Sequence, residues 1–350
     1  MVSTSMDSWP RYGGLLLSPP ETGAAAERVA TSTATENSAV PTAERNGAAT
    51  LSFQATQCAI CGPGIPAKEL YPANFGVDDI TPARFSARRL PDRVHYRMVR
   101  CSSCGLVRSD PVLDEATLAH LYAESTFDYE AETANLKATY GRYLAKLRAF
   151  SNHQDSLLEI GCGDGFFLEQ ALAQGYSTVR GVEPSEAAIR DASPVVRDQI
   201  VCDVMRPGLF ADGEFDAVCL FQVFDHVPHP EAVLAACRAA LRPGGLILCL
   251  NHNVESVSSH IMKERSPIID IEHTYLYSPA TMRRIFEAGG FRVLKQGHVS
   301  NTYSVGYVTH LVPMPARLKG MALTSLSRSR LGRLTVPVPL GNLFLIASRT

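Results

Sequence analysis

The sequence predicts an α/β protein of the Rossmann-like, doubly wound kind, with a seven-stranded, mostly parallel sheet. Three observations carry that reading. From residue 156 onward, short Val/Ile/Leu-rich runs alternate with stretches whose apolar residues lie three and four apart, the βαβα order of a parallel sheet with helices on both faces. The runs are continuously apolar instead of alternating, as expected of strands covered on both sides. The first run leads straight into a glycine turn, LLEIGCGDGFFLEQ at 157–170, at the place where open α/β sheets bind their ligands.

Taken in order, residues 1–50 are rich in Ala, Ser, Thr, Gly and Glu and show neither helical nor strand periodicity. A segment of that kind buries too little apolar surface to offset its chain entropy, so it is expected to be a disordered tail. Residues 51–111 hold two CxxC pairs among many Pro, Gly and Arg. Residues 112–154 turn helical, LDEATLAHLYAE then ANLKATYGRYLAKLRAF, and read as a connector or cofactor lid. In 155–350, SLLEIG, TVRGVEP, IVCDV, FDAVCLFQV, LILCLN, FRVLKQGHV and NLFLIASR read as the strands. FFLEQALAQG, SEAAIRDA, PEAVLAACRAALRPGG and SPATMRRIFEAGG read as helices, several opened by proline and closed by glycine. A Pro- and Arg-containing stretch precedes the last strand.

The bulk numbers narrow the function. At 350 residues, 45% hydrophobic and 19% charged, the chain has the balance of a soluble globular protein of about two domains. A net charge of −2 supplies no general basic surface for nucleic acid or acidic membrane. No apolar run reaches membrane-span length, and the N-terminus lacks the basic-then-apolar order of a secretion signal, so a cytoplasmic location is expected. Of the nine cysteines, five (Cys162, Cys202, Cys219, Cys237, Cys249) are scattered singly and read as small buried hydrophobes in a reducing compartment, with Cys162 set apart by its place in the glycine turn.

Gly161, Gly163 and Gly165 let the backbone approach a ligand with no Cβ in the way. The dinucleotide fingerprint G-x-G-x-x-G would place its third glycine at Phe166, and this turn is G-x-G-x-G instead. Glu183, ending the second strand, is placed for ribose hydroxyls, a need shared by both cofactor types. Asp203, ending the third, suits the exocyclic amine of an adenine. Glu159 adds negative character where a cationic ligand would sit, which favours a sulfonium with an amino-acid tail over a pyrophosphate.

Together ExGxGxG at 159–165, GVEPS at 181–185, CDV at 202–204, FDAVCLFQVFDHV at 215–227 and LRPGGLILCLN at 241–251 resemble the class I S-adenosylmethionine-dependent methyltransferases. The resemblance covers about 155–350. It implies that Glu159 and Gly161, Cys162, Gly163 and Gly165 line the methionine side, that Glu183 with Pro184 holds the ribose, that Asp203 and Val204 flank the adenine, and that Phe221 and Gln222 lie against the cofactor.

Cys58, Cys61, Cys101 and Cys104 form two knuckles that can supply a tetrahedral four-thiolate zinc site; two redox pairs or unligated thiols are the other readings. A loop-rich segment with little apolar content needs a staple, which favours a structural Zn2+. The arrangement, with the CGLVRSDPVLDEATLAHLYAE that follows, resembles the N-terminal zinc-binding module of certain bacterial methyltransferases, including C-methyltransferases acting on nucleotide-linked deoxysugars.

Methyl transfer needs alignment, exclusion of water and, for a protonated nucleophile, a base that titrates near working pH. His226, after the fourth strand, is the first candidate, with Asp225 to orient it or to bind substrate; the same residues also read as a loop leading into the helix at Pro230, with Asp225 or His229 as caps. The related family usually carries Glu-His where this chain has Asp-His. The long connection NHNVESVSSHIMKERSPIIDIEHTYLYSP reads as a lid or substrate wall. Within it EHTYLYSP resembles a motif of related enzymes, so His273 reaches the active site or is a hydrogen-bonded loop residue, and Tyr275 and Tyr277 pack beside it. Tyr129 is placed to close over the cofactor.

The leading expectation is a methyltransferase acting on a small molecule, a sugar or secondary metabolite, with a homodimer as one option and the oligomeric state open. An RNA methyltransferase that uses the zinc module for recognition is the alternative, kept open by Arg84, Arg88, Arg89, Arg93, Arg97, Arg100 and Arg108. A non-catalytic cofactor-binding protein and a nicotinamide oxidoreductase complete the set.

Overall fold

The computed structural model describes residues 51–85, 93–124, 133–151, 153–311, 314–327 and 329–350. The expected tail, Arg88, Arg89 and Tyr129 lie outside them. The main sheet has seven strands: β1 (Ser156–Ile160), β2 (Thr178–Val182), β3 (Ile200–Val201), β4 (Phe215–Phe221), β5 (Leu241–His252), β6 (Phe291–Ser304) and β7 (Thr335–Arg349). Their spatial order is β6-β7-β5-β4-β1-β2-β3, with β7 antiparallel to both neighbours and the remaining pairs parallel. Strand order reverses between β1 and β4, so the crevice at their C-terminal ends is the switch point where ligands of such sheets bind.

Alternate residues of the central strands feed two separate cores, the period-2 consequence of strand geometry. Leu158, Ile160, Val218, Leu220, Ile247 and Cys249 face one side. There they meet Leu234 and Cys237 of a helix over Pro230–Ala240 and Met282, Ile285 and Phe286 of a helix over Pro279–Ala288. Leu157, Ala217, Cys219, Leu246, Leu248 and Leu250 face the other side. They pack on Leu144 and Leu147 of a helix over Thr133–Arg148 and on Phe167 and Leu168 of a helix over Phe166–Ala173. Each such fully buried side chain contributes about 1.5–3 kcal/mol relative to exposure. The helix over Pro279–Ala288 begins where Ser278 and Thr281 cap one another's backbone, with Pro279 at the first helical position.

The sequence reading differs from the structure at the C-terminal end. β6 and β7 are longer than FRVLKQGHV and NLFLIASR, and they pair on to Ser304 and Thr335. Pro337 and Pro339 hide this extension from a pattern reading, yet proline is tolerated because β7 pairs with β5 only from Asn342 onward. Between the two strands lie helices over Val305–Leu311 and Ala316–Ser327, where no helix is expected from the sequence.

The N-terminal module is a four-stranded antiparallel sheet. Ala67–Tyr71, Met98–Cys101 and Val107–Ser109 are joined by Tyr275–Leu276 from far along the chain, with Tyr275 opposite Arg108. The segment read as a module at 51–111 is thus completed by a strand of the long connection after β5. A helix over Glu115–Ala123 follows, its first turn capped by Asp114, whose carboxylate accepts the Thr117 amide at 2.8 Å.

Candidate active site

The glycine turn takes its shape from three left-handed glycines, with φ of 67° at Gly161, 56° at Gly163 and 74° at Gly165. At Gly161 a Cβ would stand 2.4 Å from the Val223 Cγ2, so both dihedral and space demand glycine. Cys162, between them, is 3% exposed and points its sulfur at Gly181, where a Cβ would meet it at 2.4 Å. Its thiol packs into the sheet, and only its backbone borders the turn.

Glu183 braces the turn directly. Its two oxygens accept the amides of Gly163 and Ser185, each at 2.9 Å. Burial raises its carboxyl and those two amides oppose the rise. Ser185 then caps the helix over Glu186–Asp191, which fixes Pro184 between carboxylate and helix start. Glu159 sits on β1, 3% exposed, with Oε2 lacking any hydrogen-bond partner. Burial, then the nearby carboxylates of Asp164 and Glu183, push its carboxyl well above the usual range.

The residues at the ends of β3 and β4 divide. Asp203 lies at the rim, accepting the Val204 amide at 2.7 Å and bonding the Arg206 guanidinium at 2.9 Å, and Val204 is 53% exposed. Phe221 turns inward: its ring stacks on Tyr140 at 4.1 Å and 6°, and meets Phe167 edge-on at 4.5 Å. Gln222 next to it holds a left-handed φ of 57°, and its buried Oε1 has no hydrogen-bond partner. A non-glycine residue in that region is strained, and such strain concentrates at functional sites.

Past Gln222, three imidazoles surround one carboxylate. Asp225 is fully buried, and Thr274 and Tyr275 donate their amides to its backbone oxygen at 2.9 and 3.0 Å. Its Oδ2 meets His252 Nδ1 at 2.5 Å. His226 Nε2 lies 3.7 Å from Oδ1, and His273 Nε2 lies 3.9 Å from Oδ2. The His273 ring stands 4.8 Å from the rings of both His226 and His252. Burial alone would raise the Asp225 carboxyl, but His252 first, then His273 and His226, hold it well below the usual carboxylate range. The outer nitrogens are held as well: Tyr122 Oη is 3.3 Å from His226 Nδ1, and the Ile268 carbonyl 2.9 Å from His273 Nδ1. His273, read in a separate motif, is therefore brought to Asp225 and His226, while His229 stands apart, 2.6 Å from Glu115.

Sequence reasoning missed His252 and Tyr122. His252 closes the apolar run of β5, so the rule that ligands gather at strand ends was signal enough to single it out. Tyr122 sits in a helix with no chemical motif, and nothing local marks it.

Cys58, Cys61, Cys101 and Cys104 converge with all four sulfurs within 4.8 Å of one another. Gly62 and Gly105, at φ 79° and 80°, turn the chain after each pair, and their amides bond back to the carbonyls of Cys58 and Cys101 at 2.8 and 3.0 Å. Burial raises the Cys101 thiol, but the amides of Cys104 and Ser103 outweigh it and bring it to about 7. The cluster packs on the main core beside Val233 and Leu234.

The described arginines of the 84–108 stretch include several with carboxylate partners: Arg84 meets Asp79 at 3.0 Å, and Arg97 meets Asp110 at 3.1 Å. Arg108, 6% exposed, lies 3.8 Å from Asp110. No helix among the described residues is long and apolar enough to cross a membrane.

A family model described as a methyltransferase domain matches residues 132–296. Among curated relatives, a ubiquinone biosynthesis O-methyltransferase of Dinoroseobacter shibae is 31% identical over 202 residues, 53% of this chain and 78% of that protein. One of the same description from Idiomarina loihiensis is 35% identical over 124 residues, 32% of this chain, so that the match spans about half (51%) of that relative. A solved methyltransferase from Archaeoglobus fulgidus, 21% identical, covers 67% of this chain and 100% of its own, with a TM-score of 0.43. With the strand order, the glycine turn and its bracing acid already in place, the chain belongs to the class I S-adenosylmethionine-dependent methyltransferases.

The residues present fit that cofactor. Two buried acceptors, Glu159 Oε2 and Gln222 Oε1, want hydrogen-bond donors beside a turn whose glycines leave the backbone open. A ligand with an ammonium tail supplies donors and positive charge, where a pyrophosphate would bring only acceptors.

Proposed function

We propose that the protein transfers a methyl group from S-adenosylmethionine to a hydroxyl oxygen of a small molecule, a sugar or other secondary metabolite. The observation that carries this is the imidazole–carboxylate cluster on Asp225 at the C-terminal ends of β4 and β5, beside the glycine turn. A hydroxyl acceptor has a proton to lose, and imidazole is the side chain suited to take it near neutral pH. That the relatives are named O-methyltransferases supports oxygen as the acceptor atom.

In this reading Glu159 and Gln222 hold the amino-acid end of the cofactor, with the backbone of Gly161, Gly163 and Gly165. Glu183 keeps lone pairs for the ribose while bracing the turn, and Asp203 and Val204 border the adenine. Phe221 contributes backbone and a packed wall. When bound, the cofactor supplies an electrophilic methyl whose bond to sulfur breaks as the acceptor oxygen attacks, the electron pair staying on sulfur. The chain aligns the acceptor, keeps water out and removes the proton. The four-cysteine cluster holds a structural Zn2+ that pins the module against the wall carrying His273.

The test is an acceptor screen with methyl-labelled cofactor over sugars and phenolic metabolites, with the methylated atom identified in the product by NMR. An O-methyl product supports the reading. Methylation at carbon, or salt-sensitive retention and labelling of RNA, overturns it.

A further inference from the structure

The Asp225 cluster contains three imidazoles, and they are not equivalent. His226 has Nδ1 3.3 Å from the Tyr122 hydroxyl, while its Nε2 lies 3.7 Å from Asp225 Oδ1, beyond hydrogen-bond reach. His273 has Nδ1 2.9 Å from the Ile268 carbonyl, while its Nε2 lies 3.9 Å from Asp225 Oδ2. His252 uses Nδ1 alone, at 2.5 Å from Asp225 Oδ2, and its Nε2 has no protein partner among the described contacts. It is also the most exposed of the three, at 23% against 17% for His226 and 6% for His273. It is the last residue of β5, at the C-terminal end of the strand next to β4.

We infer that His252, oriented by Asp225, is the general base of this enzyme, and that His226 and His273 are positioning residues that hold the carboxylate. The inference deepens the methyl-transfer reading above and rests on it. The logic is that of any carboxylate–imidazole pair: a buried carboxylate accepting from Nδ1–H fixes the tautomer, so that the lone pair lies on Nε2 and points outward. The 2.5 Å contact is a direct hydrogen bond between Nδ1 and the carboxylate, one proton shared by the pair. Asp225 is held below the carboxylate range by its imidazoles, so the proton resides on nitrogen.

In the transfer step, Nε2 of His252 accepts the proton of the acceptor hydroxyl while the oxygen lone pair forms the new bond to the methyl carbon. The imidazolium that results is neutralised by Asp225 and returns its proton to water after product release. The charged groups that face it are Asp225 from the segment after β4 and His273 from the long connection, with His226 at the other oxygen of the same carboxylate.

Two measurements on the full-length, zinc-loaded protein test this. The first needs no acceptor: proton NMR of the ring N–H region. A strongly low-field resonance is expected in the wild type and in His226→Gln, and is expected to vanish in His252→Gln and Asp225→Asn. The second is turnover, at saturating cofactor, of the acceptor that the screen identifies. His252→Gln should lower kcat about 100-fold or more at pH 7 with KM for S-adenosylmethionine unchanged, and its rate should climb as rising pH ionises the acceptor without help. His226→Gln should lose much less and keep the wild-type pH profile. Absence of the low-field signal in the wild type, or full activity in His252→Gln, overturns the assignment. So does a divalent-cation requirement abolished by His252→Gln, which would make the cluster a metal site. Retained binding of S-adenosylhomocysteine separates failure of this inference from failure of the methyltransferase reading, since that product would not bind at all in the second case.

Discussion

Asp225 and His252 lie 27 positions apart, yet Asp225 Oδ2 and His252 Nδ1 meet at 2.5 Å because β4 and β5 are parallel neighbours that end side by side. The carboxylate is sealed from solvent, and its backbone carbonyl is clamped by two amides of the connection that also carries His273. One buried acid thereby ties the sheet to the long connection after β5. Asp225→Asn is expected to keep the fold but to lower kcat by about 100-fold or more, with cofactor affinity changed by less than about threefold, as read by steady-state kinetics and calorimetry.

Gly161→Ala should cost about 2–5 kcal/mol, the sum of a left-handed alanine and a clash with Val223. Urea unfolding of the variant checks the value. Val223→Ala in the same chain should recover the part due to the clash and leave the backbone strain.

Glu159 gives a pH-dependent prediction. Its folded carboxyl is raised above the ordinary 4.5, so the native protein keeps a proton that the unfolded chain releases. Stability of the free protein therefore falls as pH rises from about 4.5 toward the folded value. Glu159→Gln should remove that slope and stabilise the free protein at pH 7 by about 1 kcal/mol or more, while binding S-adenosylhomocysteine about tenfold more weakly or worse. Unfolding curves between about pH 5 and pH 8, paired with calorimetric titration of the product, read both effects.

Phe221 is expected to matter for stability and little for cofactor affinity, because its ring is spent on Tyr140 and Phe167. Phe221→Ala should cost roughly 3–5 kcal/mol of folding free energy. A change in product affinity much larger than the change in stability would instead place the ring against the cofactor.

Disrupting the cysteine cluster should reach the candidate active site. The sheet that carries the Cys101–Cys104 knuckle includes Tyr275 and Leu276, two and three positions beyond His273, and the Tyr275 hydroxyl donates to the Gln57 carbonyl, next to Cys58, at 2.9 Å. Native mass spectrometry is expected to find one zinc per chain, lost in Cys101→Ser. That variant should melt several degrees lower and lose methyl transfer along with it.

The sheet was legible because its signals are local: apolar runs, caps and a glycine turn each act over a few residues. Gly161 and Glu183 could be placed from spacing alone, since the turn and the end of the next strand are adjacent in any such fold. The proline-interrupted pairing of β6 and β7 was not legible, because a period-2 pattern broken by Pro337 and Pro339 carries no strand signal of its own. Nor was the fourth strand of the N-terminal sheet, which joins Val107 to Leu276 across nearly half of the chain. The Asp225 cluster was half legible. His226 and His273 sit in chemical-looking motifs, whereas the choice among three histidines depends on which of them bonds the carboxylate directly, and that is a property of the assembled site.

The most direct test of the methyltransferase reading is thermal unfolding of the purified protein with S-adenosylmethionine, S-adenosylhomocysteine or NADH, each at about 100 times the dissociation constant expected of a true ligand. A specific ligand adds about 2.7 kcal/mol at that ratio, a shift of several degrees for a protein of this size. A shift with the sulfonium and its thioether product, and none with NADH, is the expected result. A shift with NADH alone would contradict the reading at the glycine turn itself.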